Sequence, residues 1–381
     1  METVSITKCE TYRYEEVEKA VYDCLDNLGA IKRKVKKGSR VLVKVNLLKK
    51  NVPEDAVTTH PAVVEAIVRY LQGLGCSVII GDSPGGPFTV KRLTGIYKAA
   101  GMFDVANRTG CELNYDTSAV SILNEQAQKL KHMQVIKIAT TVDFIVSAAK
   151  LKTHGMMVYT GAVKNLFGVI PGLTKAEYHL KMNNAENFAQ HLIDICEYVK
   201  PVFTVIDAIE GMEGDGPSAG EKRHVGLILA SENPYALDTA AVSIIGIPPL
   251  EVPTMKVARE RGIFSGDLKE LSVKGIELKD LRIKPFKLPV SLNKSVLSGV
   301  VPRFLESYLV KNLRAKPVFD DAVCISCGEC ARGCPAKIID MSTGKPRPDL
   351  DKCINCYCCH ELCPKKAVDI KKPWLCRWLF R

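Results

Sequence analysis

Nine of the chain's 15 cysteines lie between Cys324 and Cys363, and eight of those nine obey one spacing. "CISCGECARGCP" sets Cys324, Cys327, Cys330 and Cys334 ahead of Pro335; "CINCYCCHELCP" sets Cys353, Cys356, Cys359 and Cys363 ahead of Pro364. Each run reads CxxCxxCxxxCP. Three thiolates two residues apart can wrap one face of a 4Fe-4S cube, while the fourth is carried off by its short helix to a second cube. The expected ligand sets are therefore crossed: Cys324, Cys327, Cys330 and Cys363 on one cluster, and Cys353, Cys356, Cys359 and Cys334 on the other. Zinc modules favour paired ligands with a longer spacer, and disulfides are out of place in a reducing cytosol. Cys358 has no place in the pattern; a small buried side chain is the plain reading, with a substitute ligand or a reactive thiol as alternatives.

A second signal is cationic. "VSAAKLKTHGMMVYTGAVKNLFG", residues 146 to 168, presents Lys150, Lys152, His154, Lys164 and Asn165, and no Asp or Glu occurs between Asp143 and Glu177. Charged groups converging beside glycines at the end of a strand suit an anionic ligand better than mere solubility. Lys150, Lys152 and His154 are the expected catalytic groups, with His154 as a proton donor because imidazole titrates near neutrality. Weaker signals accompany them. "VTTHP" offers Thr58, Thr59 and His60, where a threonine would cap the following helix. "GDSPGGP" brings Asp82 and Ser83 beside two glycines but lacks the P-loop ending and the GxGxxG spacing. "EGMEGDGPSAGEKRH" reads as a long loop whose Glu210, Glu213 and Asp215 would meet the lysines or hold a divalent ion. Asp238, about one turn into a helix, would complement its dipole.

The elements that must position these groups alternate. Residues 13 to 28 put Val17, Val21, Cys24 and Leu28 on one helical face, and "RVLVKVN" follows as a strand. "THPAVVEAIVRYLQGLG" reads as a helix with Pro61 at its start and Gly73 and Gly75 as stops. "SVIIGD", "DFIVSAA", "VFTVIDA" and "VGLILAS" read as strands; residues 186 to 199 and "PYALDTAAVSIIG" read as helices. Short β-branched runs between amphipathic helices predict an α/β domain with a mainly parallel sheet covered on both faces. In such sheets ligands bind beyond the carboxyl ends of the strands. Asn46, Asp82, Lys150 and Asp207 all fall there. The predicted organisation is an α/β domain over residues 1–280, a basic linker over 281–315, a small α+β two-cluster domain over 316–372 and a basic aromatic tail over 373–381.

Composition sets the outer limits. A chain of 381 residues with 46% hydrophobic and 25% charged residues is a folded protein of more than one unit. "METVSITKCE" shows no secretory pattern, and no run approaches the roughly 20 apolar residues of a spanning helix, so the cytoplasm is the expected compartment. The formal charge is +11, and residues 281–381 hold 19 Lys and Arg against 9 Asp and Glu. The surplus coincides with the cysteines and no recognition motif accompanies it, which argues against nucleic acid. The tail "KKPWLCRWLFR" mixes Trp and Phe with cations and suits a membrane interface or an acidic protein; Cys376 within it has no assigned role.

Residues 316–372 closely resemble the bacterial two-cluster ferredoxin family. "VKVNLL", "VTTHPAVVEAIV", "IIGDSPGG", "AAKLKTH", "GAVKNLFG", "DAIEGMEGDGP" and "NPYALDTAA", in that order over residues 40 to 250, resemble the family called domain of unknown function 362. The resemblance implies that Asn46, His60, Asp82, Lys150, Lys152, His154, Lys164, Asn165, Asp207 and Asp238 occupy motif positions, and it supplies no reaction.

These features together predict an oxygen-sensitive iron-sulfur oxidoreductase. Two 4Fe-4S clusters would pass single electrons to an anionic or carbonyl-containing substrate or cofactor held by Asn46, His60, Asp82, Ser83, Lys164, Asn165 and Asp207. A ferredoxin or flavodoxin is the expected redox partner. The alternatives are an electron-transfer adaptor, whose large domain binds a partner, metal or cofactor without catalysis, and a carrier that hands clusters on.

Overall fold

The computed structural model describes residues 1–29, 31–182, 184–291 and 315–371. Most of the basic linker, and the aromatic tail with Cys376, lie outside the described residues. The large domain is built on a nine-stranded sheet. Its strands are β1 (Glu2–Lys8), β2 (Arg40–Lys44), β3 (Ser77–Gly81), β4 (Glu112–Leu113), β7 (Phe144–His154), β8 (Val158–Thr160), β9 (Thr204–Glu213), β10 (Glu221–Ser231) and β11 (Leu271–Gly275). They run in the order β11-β1-β10-β9-β7-β2-β3-β4, with β8 paired to β7. A separate hairpin, β5 (Ala119–Leu123) and β6 (His132–Ile136), lies off this sheet.

The sheet is mainly parallel: β2 pairs parallel with both β3 and β7, and β7 with β9. Alternate residues of each strand feed opposite faces. Val41, Val43, Ile80, Val146, Val205 and Ile228 pack with α1 (Tyr14–Leu28), α3 (Pro61–Gly73), α4 (Val90–Ala99) and α5 (Met102–Thr109). Leu42, Ile79, Ile145, Ala149, Ile206 and Leu229 pack on the other face with α8 (Ala185–Val199), α9 (Pro234–Ile244) and α10 (Pro253–Glu260). A short helix, α2 (Ile31–Lys34), follows α1.

Three sequence expectations need correction. The strand read from "DFIVSAA" does not end before the cations: β7 runs on to His154, so Lys150 and Lys152 are strand residues buried in the sheet. "EGMEGDGPSAGEKRH" is not a long loop either, because β9 and β10 pair antiparallel out to Glu213 and Glu221, leaving residues 214–220 as the turn. So short a connection can join only antiparallel neighbours, and "VGLILAS" therefore runs against the parallel strands. The acids of that hairpin are engaged by protein groups. Glu210 faces His224 at 2.7 Å, while Glu213 and Asp215 accept the amides of Lys287 and Val290 and so pin the start of the linker.

The cysteine-rich domain has two antiparallel ribbons, β12 (Lys316–Phe319) with β15 (Val368–Lys371) and β13 (Ile339–Asp340) with β14 (Arg347–Pro348). Between them lie two single-turn helices, α11 (Glu329–Arg332) and α12 (Cys358–Leu362).

One buried electrostatic tie away from the strand ends is Asp194 on α8. Its carboxylate accepts the amides of Gln128, Lys129 and Leu130 and meets Arg261 at 2.6 Å, with both side chains 5% exposed or less. Burial opposes the charge, but the Leu130 amide and Arg261 outweigh it and lower the carboxyl's pKa. Asp194→Ala leaves three amides without their acceptor and the buried Arg261 with only the neutral oxygens of Gln190, so chemical denaturation should register a loss of about 3 kcal/mol, whereas Glu186→Ala on the exposed first turn of the same helix should change stability by under about 0.5 kcal/mol.

Candidate functional site

The parallel strands deliver their polar residues to one end, where the side chains sort into two clusters. The first is closed. Lys150 donates to Asp207 and to the Tyr12 hydroxyl, both at 2.8 Å; Tyr12 in turn donates to Asp207 at 2.9 Å. The His60 amide donates to the same carboxylate, and the Tyr12 ring stacks on the His60 imidazole with centroids 3.6 Å apart. Lys150 and Asp207 are 1% and 0% exposed, so the pair is a satisfied structural unit. His60 rather than a threonine caps α3, its Nδ1 accepting from the Ala62 amide, while Thr59 ties the Asn46 amide to the Ala148 carbonyl. Burial lowers the His60 pKa to about 4, with Asp207 opposing. Lys150, His60 and Asp207, expected at the ligand site, do not line the cavity described next.

The second cluster opens into a recess of about 820 Å³, mouth included, between the α/β domain and the cysteine-rich domain. Lys44, Asn46, Asp82, Ser83, Lys152, Lys164 and Asn165 line it from the strand ends; Cys358, Glu361 and Leu362 line it from α12. Asn165 is the hub. It accepts from Lys44 at 2.8 Å and from Asn46 at 3.0 Å, and its amide nitrogen donates to Ser147 at 2.9 Å. Asn46 accepts from Lys152, which also donates to the Val57 carbonyl. Lys44 lies 3.0 Å from Asp82, which accepts the Leu47 amide.

The charge balance differs from lysine to lysine. Burial lowers the pKa of Lys44, with Asp82 opposing, and drives that of Lys152 well below the usual range, helped by Lys164 and Lys150. Lys164 has no hydrogen bond or ion pair among the described residues, and burial lowers its pKa against the pull of Glu361 and Cys358. Lys164 and Asn165 sit on α6 (Ala162–Asn165), whose Ala162 and Val163 amides donate to Asp238 at 2.6 and 3.0 Å; the Tyr159 hydroxyl donates to it as well. Asp238 therefore anchors the lysine-bearing turn rather than complementing its own helix. Burial raises its pKa to about 6.

His154 stands behind the recess. Its Nδ1 accepts from the Met156 and Met157 amides, which leaves the ring proton on Nε2. Nε2 is 3.3 Å from Glu361, too poorly aligned for a hydrogen bond. Burial, then Lys164, drives the pKa far below the usual imidazole value. The proton-donor expectation needs correction accordingly: the ring is a neutral, buried group that reaches the recess only through Glu361.

Lys44, Lys175, His179 and Glu361 were not singled out from the sequence, yet all four line the recess. Lys44 was visible as a lone cation in the apolar run "VLVKVN". Lys175 and His179, four apart, share one face of α7 (Gly172–Lys181). Glu361 was hidden between two cysteines.

The eight patterned cysteines surround two further chambers. Cys324, Cys327, Cys330 and Cys363 line one of about 370 Å³; Cys334, Cys353, Cys356 and Cys359 line one of about 380 Å³. Burial raises the Cys330 pKa to about 11, with the thiols of Cys327, Cys363 and Cys324 adding to it, so these four are electrostatic neighbours. Cys359 feels Cys356, Cys353 and Cys334 in the same way. Four thiols around an apolar chamber are the donor set a 4Fe-4S cube takes. Cys358 turns away from both chambers into the wall of the recess, within hydrogen-bonding reach of Cys356.

The two domains meet through main-chain groups of the cysteine turns. Lys49 donates to the Cys363 carbonyl at 2.8 Å and Ser218 to the Glu361 carbonyl at 2.9 Å; Arg92 pairs with Glu329 at 2.9 Å.

The model for a domain of unknown function, DUF362, matches residues 41–243, and that for a 4Fe-4S dicluster domain matches residues 316–364. The thylakoid-associated protein sll1697 of Synechocystis sp. is 31% identical over 310 residues, covering 81% of this chain and 93% of that protein. Among solved structures, the lactate racemase apoprotein from Thermoanaerobacterium thermosaccharolyticum aligns with a TM-score of 0.40 at 12% identity, over 65% of this chain. A protein from Thermotoga maritima aligns with a TM-score of 0.34 at 13% identity, over 71% of this chain. The chain spans 58% and 62% of those two structures, less than two thirds of either.

Lys175 gives the site a pH signature. Burial holds its pKa down to about 7, with Asp82 opposing. The unprotonated amine is the nucleophile, so its reactivity rises as pH passes through that value. Competitive acetylation read by mass spectrometry should give Lys175 a midpoint near pH 7, about three units below that of a free lysine model compound. A Lys175 midpoint above about pH 9 contradicts the assignment.

Proposed function

The chain belongs to the DUF362 family and carries a 4Fe-4S dicluster domain, and from that premise we propose that it is an iron-sulfur oxidoreductase whose substrate is reduced in the recess between the two domains. The dicluster domain gives the chain an iron-sulfur electron-transfer role; the destination of the electrons is the proposal. The observation that carries it is the shared wall: Cys358, between Cys356 and Cys359, lines the same recess as Lys164, a half-buried cation without a hydrogen bond or ion pair among the described residues.

Cys324, Cys327, Cys330 and Cys363 would hold one cluster, and Cys353, Cys356, Cys359 and Cys334 the other. When bound, the clusters supply single electrons at potentials set by burial, charge and hydrogen bonds to sulfur. The chain's own residues do the rest. Each electron received adds a negative charge to the substrate, and Lys164 and Lys152 offset that charge in a site of low dielectric. Asn46 and Asn165 hold Lys152 and Lys44 in place. The α12 turn and Leu362 close the recess against water. A low-potential one-electron donor of the ferredoxin or flavodoxin class is oxidised in exchange.

Among the described residues no helix is long and apolar enough to cross a membrane. The cyanobacterial relative is named as thylakoid-associated, and we carry over only the narrower expectation of peripheral contact through the basic aromatic tail.

Two measurements test this reading. Cys324→Ala with Cys363→Ser, made together, should cost one cluster, about four of roughly eight irons, with one electron paramagnetic resonance signal kept; if each motif closes on itself, the double variant loses both. Second, the reduced protein, freed of reductant under anaerobic conditions, should be reoxidised by the anion-exchange-retained fraction of a metabolite extract and not by the neutral fraction. In Lys164→Gln with full iron content the rate should fall about tenfold or more, the scale for loss of one electrostatic group at a reacting centre. Equal reoxidation by both fractions, or an unaffected variant, rules the recess out as the reduction site.

A further inference from the structure

The recess has a second polar pole, on α7 and the loop that follows β3. α7 is ten residues long and opens after Pro171 with no side-chain cap. The amides of Gly172, Leu173 and Thr174 find no acceptor among the described residues, as the first turn of an uncapped helix leaves them. The loop is pressed against this turn: a Cβ on Gly172 would collide with the Gly86 carbonyl and crowd that of Pro84. That approach brings Ser83 to the helix start. Its amide donates to Gly168 and its carbonyl accepts from Lys175, but its hydroxyl, on a residue 2% exposed, has no hydrogen-bond partner. Nδ1 of buried His179, one turn beyond Lys175, is also unpartnered. Asp82, the nearby carboxylate, is engaged by Lys44 and by the Leu47 amide.

The groups left over at this pole are mostly donors: three amides, a hydroxyl and an ammonium. The Gly86 and Pro84 carbonyls crowd the turn without accepting from its amides, and Lys175 spends one proton on the Ser83 carbonyl, so the three amides and the hydroxyl have no hydrogen-bonded acceptor among the described residues. An anion at a helix N-terminus takes hydrogen bonds from such amides and is favoured by the helix dipole, and an unsatisfied buried hydroxyl is otherwise a cost. Phe167, Leu173 and Leu362 line the apolar stretch of the same recess, which leads toward Lys164 and Cys358.

We propose that Ser83, Lys175 and the first turn of α7 form an oxyanion subsite that anchors the ligand by a terminal carboxylate or phosphate, so that the substrate class is an amphipathic anion lying along Phe167 and Leu362 with its far end at Lys164. The proposal rests on the reading of the recess as the ligand site, and its test needs no turnover. An arriving anion also favours the protonated form of Lys175, whose burial otherwise holds its pKa at about 7.

The experiment uses the full, cluster-loaded chain under anaerobic conditions, with inorganic phosphate and benzoate as separate probes. Calorimetry should give one site per chain for at least one probe, and saturation should protect Lys175 from acetylation. Benzoate alone binding identifies a carboxylate anchor; phosphate alone identifies a phosphate anchor. Ser83→Ala and Lys175→Ala should each weaken binding about tenfold or more, while Lys175→Arg retains it, all with unchanged iron content. If Lys175→Ala does not fold, Ser83→Ala decides. Binding of neither probe at millimolar concentration, or full binding by Ser83→Ala, overturns the subsite. Reoxidation that depends on Lys164 can persist through either result, so failure of the anchor is distinguishable from failure of the reduction reading.

Discussion

The arrangement depends on ammonium groups buried where parallel strands end. A lone charge in a protein interior costs several kcal/mol, and Lys44, Lys150 and Lys152 are each 1% exposed. Lys150 is neutralised by Asp207 on the neighbouring strand. Lys44 has Asp82, but Lys152 has only neutral oxygens, the Asn46 side chain and the Val57 carbonyl. The compensation thins from strand β9 toward the recess and ends at Lys164, which has no partner among the described residues. A fold that neutralises one lysine fully and leaves the next progressively bare keeps a positive potential inside a closed space. That potential is the property on which anion recognition and reduction would both draw.

The cysteine-rich domain completes this space rather than merely adjoining it. α12 supplies two chamber cysteines, Cys359 within it and Cys363 just after it, and between them Glu361 and Leu362 face the recess. The docking contacts use the backbone carbonyls of Glu361 and Cys363, which Ser218 and Lys49 reach. Because these contacts end on main-chain carbonyls of the turn, they fix its position independently of the rotamers of the turn's own side chains. The geometry of the cysteine chambers and the shape of the recess are thereby set by the same few residues.

Much of this was legible in the sequence and some of it was not, for physical reasons. The cysteine spacing is local chemistry, so the grouping around two chambers followed from a single repeat. The α/β alternation was readable because β2 and β3 carry short uninterrupted apolar runs, β9 opens on one before Asp207, and α1, α3 and α8 carry strong stripes. Lys150 and Lys152 looked equivalent, two residues apart and on one face. They differ because β9 bulges between their partners: Lys150 pairs with Asp207 and Lys152 with Met212, so five residues of β9 answer two of β7. No single-strand pattern reports that register. His154 looked like a titrating donor because spacing says nothing of the amides of Met156 and Met157, which occupy its Nδ1. The recess itself has walls more than 150 residues apart in the chain, and Glu361 gained its meaning only from the docking of the two domains.

Because α12 lines both a cysteine chamber and the recess, whatever holds the cysteines also bears on the recess wall. The turn that carries Cys353, Cys356 and Cys359 has little apolar core of its own; its buried neighbours are chiefly the other cysteines, Ala367 and Val368. A domain so small holds its shape through its metal ligation rather than through burial. Lys49 and Ser218 hold the α12 turn from the α/β side; loss of the clusters would loosen it from the other side, and with it the wall that Glu361 and Leu362 form in front of Lys164. On the reading proposed above, the lysine-lined wall of the recess and the electron source would then be completed together, because Glu361 and Leu362 share α12 with the chamber cysteine Cys359.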